Sequence, residues 1–192
     1  MKYLLSTVAL AATLGLAGAA QASLITFDVP SVIEVDAANL ATYTEANFKF
    51  SGDAATFGQL DNAGSGGSPA LYGLASNFLS LMAAGGSLFN LASFDYGALD
   101  NRTAVPPTIL LVQGLLANNT LLTETLTLGP LGSFSFAGWT GLASVRFGAN
   151  GDFVLDNLQL QAVPEPAGWA LTALALAGLA GVRLTRRRAR LR

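Results

Sequence analysis

Neither histidine nor cysteine occurs in this 192-residue chain. Imidazole general bases, thiol nucleophiles and most transition-metal sites are therefore excluded. No Gly-x-Ser-x-Gly elbow is present either, so an α/β-type hydrolase would lack its nucleophile turn. A glycosidase can work with two carboxylates alone, and Glu34, Glu45 and Glu124 supply the groups. Nothing beside them in sequence marks one as an acid of raised pKa, so a non-enzyme is expected. Binding of sugar rings asks instead for exposed aromatic faces. Outside the phenylalanines, Tyr43, Tyr72, Tyr96 and Trp139 are the candidates, although core or rim packing is the ordinary use of such residues.

The elements that would position these groups read as β. Leu24–Val29 mixes β-branched and aromatic residues, and Asn47–Ser51 alternates polar and apolar strictly. Further strands are expected over 87–94, 108–113, 121–128, 133–136, 143–147 and 153–161. Gly, Pro, Asn and Asp separate them, as at Pro106-Pro107, Asn118-Asn119 and Gly148–Asp152. Short strands at this spacing predict an antiparallel β-sandwich. Leu71, Leu74, Phe78, Leu81 and Met82 instead recur at three- and four-residue steps, which predicts one short helix within 70–84. The glycines at 64–67 predict a flexible loop. They do not form a phosphate cradle, because no Lys-Ser/Thr pair follows.

Residues 23–163 are long enough for one domain with a real core. They carry Lys49, Arg102 and Arg146 against eleven of the chain's twelve carboxylates. Such a surface disfavours nucleic acid and anionic glycans by simple repulsion, tolerates neutral sugars and attracts divalent cations. Without cysteine the fold has no disulfide to staple it, so packing or a bound ion must stabilise it.

Both ends read as addresses. Residues 1–22 join Lys2, an apolar run from Tyr3 to Ala20, and a small-x-small site before Ser23. These are the parts of a secretory signal cut by signal peptidase between Ala22 and Ser23. At the other end, Ala167–Val182 is 16 residues long and uncharged. As a helix it would span about 24 Å, a little short of a hydrocarbon core of about 30 Å. Arg183, Arg186, Arg187 and Arg188 follow it and act as a cytoplasmic stop by the positive-inside bias. A cluster that abuts an apolar span in an exported chain argues against nucleic acid as a partner. Ahead of the span, Pro164-Glu165-Pro166 is held extended by its two fixed φ angles and kept out of the helix.

That order of Pro-Glu-Pro, apolar helix and arginine-rich end resembles the PEP-CTERM sorting signal of Gram-negative bacteria. The resemblance covers residues 163–192. It implies recognition of Pro164, Glu165 and Pro166 by a membrane-embedded exosortase, transient residence in the inner membrane, and then release to the cell surface or exterior. It also implies an association with exopolysaccharide and biofilm. A second resemblance rests on FNLASFD (89–95), ILLVQG (109–114), GLASVRF (141–147) and FVLDNLQL (153–160). These are similar to jelly-roll, carbohydrate-binding-module-like sandwiches. That resemblance implies a structural calcium site drawing on Asp28 and Asp156, with Asn157 beside them. The expected organisation is thus a signal peptide (1–22), an extracellular β-sandwich (23–163) and a sorting signal (164–192). The expected function is that of an exported surface or matrix protein; the alternative is a carbohydrate-binding module that recognises extracellular glycan.

Overall fold

The computed structural model describes residues 22–28, 33–99 and 108–163. The leader up to Gln21, the Pro-Glu-Pro motif, the apolar run 167–182 and the tail arginines lie outside the described residues. The strands form two curled antiparallel sheets. The first runs β2 (Glu34–Val35), β3 (Leu40–Glu45), β4 (Phe48–Asp53), β7 (Phe78–Ala83), β12 (Leu142–Ala149), β9 (Ile109–Leu116) and β10 (Leu121–Thr127). The second runs β5 (Phe57–Leu60), β6 (Ala70–Gly73), β13 (Phe153–Ala162), β8 (Phe89–Ala98) and β11 (Gly132–Ser135). Strand β1 (Ala22–Ile25) follows β6 along the same edge of β13. Only the pair Leu142↔Phe89 joins β12 to β8 and links the two sheets at a corner.

Alternation makes these strands. In β4, Phe48, Phe50 and Gly52 are buried while Lys49 and Asp53 face water. Its hairpin to β3 turns on Ala46 and Asn47, at φ 46° and 68°. A two-residue turn with both φ values positive matches the right-handed twist of the strands. The inner faces meet through aromatic rings. Phe48 packs edge-on to Phe89 at 5.5 Å between centroids, and Phe94 likewise to Phe147 at 5.6 Å. Each such pair is worth about 0.5–1.5 kcal/mol beyond the area it buries. In a cysteine-free chain these rings tie the two sheets together without a disulfide.

The helix expected within 70–84 does not form. Two strands, β6 and β7, occupy the segment, with a turn between them in which Ser76 has φ 71°. Leu79, Leu81 and Ala83 are buried, whereas Phe78 and Met82 are exposed. The true period is therefore two. The helical match arose because two outward apolar residues were counted as core. Asp152 Oδ1 accepts from Ala75 N at 2.9 Å and Ala149 O from Ser76 N at 3.0 Å, so the turn is fixed from across the sheet.

Candidate functional site

Two polar regions stand out, one inside the second sheet and one on the outside of the first. In β13, Asn157 adopts φ 49° where the register against β8 shifts between Asp156 and Gln159. Asparagine tolerates this left-handed geometry better than most residues. The bulge turns Asp156 beneath the short turn Ser65–Gly67 that links β5 to β6. Asp156 is fully buried. Its Oδ2 accepts from Ser65 N at 2.8 Å and from Ser68 Oγ at 2.9 Å, and its Oδ1 accepts from Asn157 N at 2.8 Å. Asn157 Nδ2 donates to Asp95 Oδ2 at 2.8 Å, and Ser133 Oγ donates to Asp95 Oδ1. Burial raises the Asp156 pKa above the ordinary carboxylate value and the Asp95 charge adds to the rise; the donors from Ser65, Ser68 and Asn157 oppose it. A Cβ at Gly64 would strike both Asp156 Oδ2 and Ser68 Oγ, so the close approach of this turn requires glycine. Within this clasp, each carboxylate oxygen of Asp95 and Asp156 has a donor.

The calcium expectation meets a different arrangement. Asp28 is exposed beyond β1, its N–H donating to Thr26 Oγ1 at 3.5 Å. It makes no hydrogen bond to Asp156. Among the described residues no three acidic or imidazole groups are arranged to hold a metal ion. Calcium needs six to eight oxygen ligands, whereas the lone pairs of Asp156 face N–H and O–H groups. The residues present do not fit that ion.

On the outer face of the first sheet, register alone builds a row. Thr123, Gln113, Arg146, Ser80, Ser51, Thr42 and Glu34 are successive cross-strand partners from β10 to β2. With neighbouring strands about 4.8 Å apart, the row spans roughly 29 Å. Phe78, 42% exposed, lies one row away and leans over Gly148, where a Cβ would come within 2.5 Å of its ring. The Arg146 guanidinium sits over that ring, 4.4 Å from its centroid. Phe78, Ile109, Leu111 and Gly148, with Asn77 and Asn150, line a cavity of about 210 Å³. On the opposite flank of the row, Met82 and Lys49 form the next cross-strand pair.

The aromatic candidates separate clearly. Tyr43 is buried and donates to Glu45 Oε2 at 2.6 Å, and Trp139 is 7% exposed. Trp139 packs tilted against Phe136, 4.3 Å between centroids, and fills the space above Gly114. Tyr96 packs against Phe94 on the core side. Tyr72 is half-exposed over Gly58. Of the carboxylates, Glu45 holds Thr26 N at 3.2 Å and Phe27 N at 3.1 Å, Glu124 is half-buried opposite Val112, and Glu34 ends the outer row. Ala22 and Ser23, the expected cleavage pair, open β1 opposite Gln161 and Leu160. Phe78 and Arg146 had no local signal in the sequence. Only the strand pairing brings them together.

No protein-family model and no curated protein matches the chain. Among solved structures, it is similar to the CBM22-1 xylan-binding domain from Paenibacillus barcinonensis Xyn10C: 13% identity, 78% of this chain and 99% of that one, TM-score 0.42. It is also similar to the CBM22-1–GH10 modules of Clostridium thermocellum xylanase 10B complexed with xylohexaose, at 13% identity and TM-score 0.39. That match covers 74% of this chain and 28% of the length of the xylanase chain. A third is TmCBM61 in complex with β-1,4-galactotriose, at 8% identity, with 62% and 90% coverage and TM-score 0.35.

Proposed function

We propose that this is an exported, non-catalytic surface or matrix protein whose sandwich domain binds extracellular glycan on the outer face of its first sheet. The observation that carries this reading is the seven-strand polar row with the exposed Phe78 ring beside it. A run of hydroxyl, amide and guanidinium groups offers hydrogen bonds to an extended chain of sugars, and the exposed part of the Phe78 ring, over which Arg146 sits, adds apolar surface. The carboxylates support the non-catalytic part, since Glu45 is taken up by Thr26, Phe27 and Tyr43. Export rests on the sequence: the leader ending at Ala22, the Pro164-Glu165-Pro166 handle and the arginine stop. In this reading signal peptidase and an exosortase process the chain, and the inner membrane holds it only transiently.

Affinity electrophoresis of the purified protein through gels holding a panel of neutral and acidic polysaccharides tests the binding. Retardation by at least one polysaccharide is expected, and Phe78→Ala should weaken it about tenfold, or about 1.4 kcal/mol. If Trp139→Ala abolished retardation without unfolding the protein while Phe78→Ala left it intact, the site would be misplaced. Mass spectrometry of the protein recovered outside the cell tests the export. Recovery with Arg192 intact would refute C-terminal processing.

A further inference from the structure

From the two cations on this face we infer that the glycan is an acidic one, bearing carboxylates that pair with Arg146. The inference rests on the glycan-binding reading and narrows its ligand. Lys49 and Arg146 are the only cations among the described residues, and both project from the outer face of the first sheet. Arg146 lies in the polar row. Lys49 is two residues from Ser51, a member of that row two strands away, which places the cations roughly 12 Å apart. Neither forms an ion pair with a described carboxylate. Glu34 ends the same row four strands from Arg146, about 19 Å away, well beyond the screening length of about 8 Å in physiological salt. Asp53, two residues beyond Ser51 on the side away from Lys49, is again roughly 12 Å from Arg146, and its Oδ1 accepts from Ala55 N at 2.8 Å, so the Arg146 guanidinium is left without an ion-pair partner.

The geometry at Arg146 favours a planar anion. Its guanidinium lies over the Phe78 ring at 4.4 Å. A guanidinium held over a ring by cation–π attraction still has N–H groups free to donate. The guanidinium fork matches the two oxygens of a carboxylate. Gln113, the cross-strand partner of Arg146, adds an amide at the same height on the face. A sugar ring beside Phe78 would bring a ring-borne carboxylate toward the guanidinium. The outer face itself also carries the exposed carboxylates Glu34 and Asp53 against Lys49 and Arg146, so it lacks the net acidity of the domain as a whole.

Matched probes test the inference. The purified protein is run through gels of alginate and of polygalacturonate, each beside its fully methyl-esterified form, and through dextran sulfate. Retardation at least tenfold stronger on one polyuronate than on its ester, and lost in Arg146→Gln, supports the proposal. Equal retardation on acid and ester overturns it but leaves the glycan reading standing. Equal retardation by dextran sulfate overturns the carboxylate assignment, because charge alone would then suffice. No retardation on any of these gels also overturns it, and the neutral polysaccharides of the panel then decide separately whether the domain binds glycan at all. Lys49→Gln should weaken polyuronate binding less than Arg146→Gln, since an ammonium has no planar fork.

Discussion

The Asp156 clasp and the outer row use similar side chains for opposite ends. In the clasp, Asp95, Asp156 and Asn157 are joined to Ser65, Ser68 and Ser133 by hydrogen bonds within the protein. In the row, Arg146 has only a phenylalanine ring as partner, and Lys49 has no carboxylate. Burial explains the difference. A buried polar group left unpaired costs about 1–3 kcal/mol, so the clasp must be satisfied internally, whereas exposed groups in the row can be satisfied by solvent. Internally completed polarity marks architecture, and uncompleted polarity on an ordered face marks the place to seek a ligand.

This contrast should show first in stability. Asp156→Ala strands the Ser65 and Asn157 N–H groups under the turn, and a loss of about 3 kcal/mol is expected. At roughly 2–4 °C per kcal/mol for a chain of this size, Tm should fall by about 10 °C. Phe78→Ala and Arg146→Gln should each move Tm by no more than about 2 °C, because the ring and the guanidinium lie outside the core. A fall of 10 °C for Arg146→Gln would erase the distinction between the two regions.

A smaller effect is expected with pH. The Asp156 pKa is raised in the folded protein, so between its ordinary and raised values the folded state binds more protons than the unfolded one. Its contribution to stability therefore grows as pH falls through the raised value and is lost as pH rises through it. The stability difference between wild type and Asp156→Asn should widen in favour of wild type on mild acidification, as read by denaturant unfolding at a series of pH values. A difference that narrows instead would place the carboxylate in a charge-stabilising environment.

Much of the sandwich is legible in the sequence, because a half-buried strand writes its period directly, as at Asn47–Ser51. The segment 70–84 fails that reading for a physical reason. Phe78 and Met82 are apolar but point outward, so a period-two pattern imitates a helical one. The importance of Asp156 and Asn157 is visible in the chain, but their partners are not. Ser65 and Ser68 reach them from a glycine-rich stretch expected to be flexible, some ninety positions away in sequence. The outer row is illegible for the same reason on a larger scale. Ser51, Ser80, Gln113 and Arg146 are unremarkable in their own strands, and only ladder register lines them up.

One further feature concerns how this domain could be handled as a piece of genetic material. Strand β1 pairs with the end of β13, with Ala22 opposite Gln161. The first and last described strands therefore finish side by side, a few ångströms apart across one ladder step. A domain whose first and last strands meet in this way can be closed by a few residues and reopened elsewhere. The turn between β9 and β10, where Asn119 takes φ 64° and its neighbours are exposed, is a suitable place to reopen it. The same proximity would let the sandwich be spliced whole into a surface loop of another protein, entering and leaving its host through a single gap.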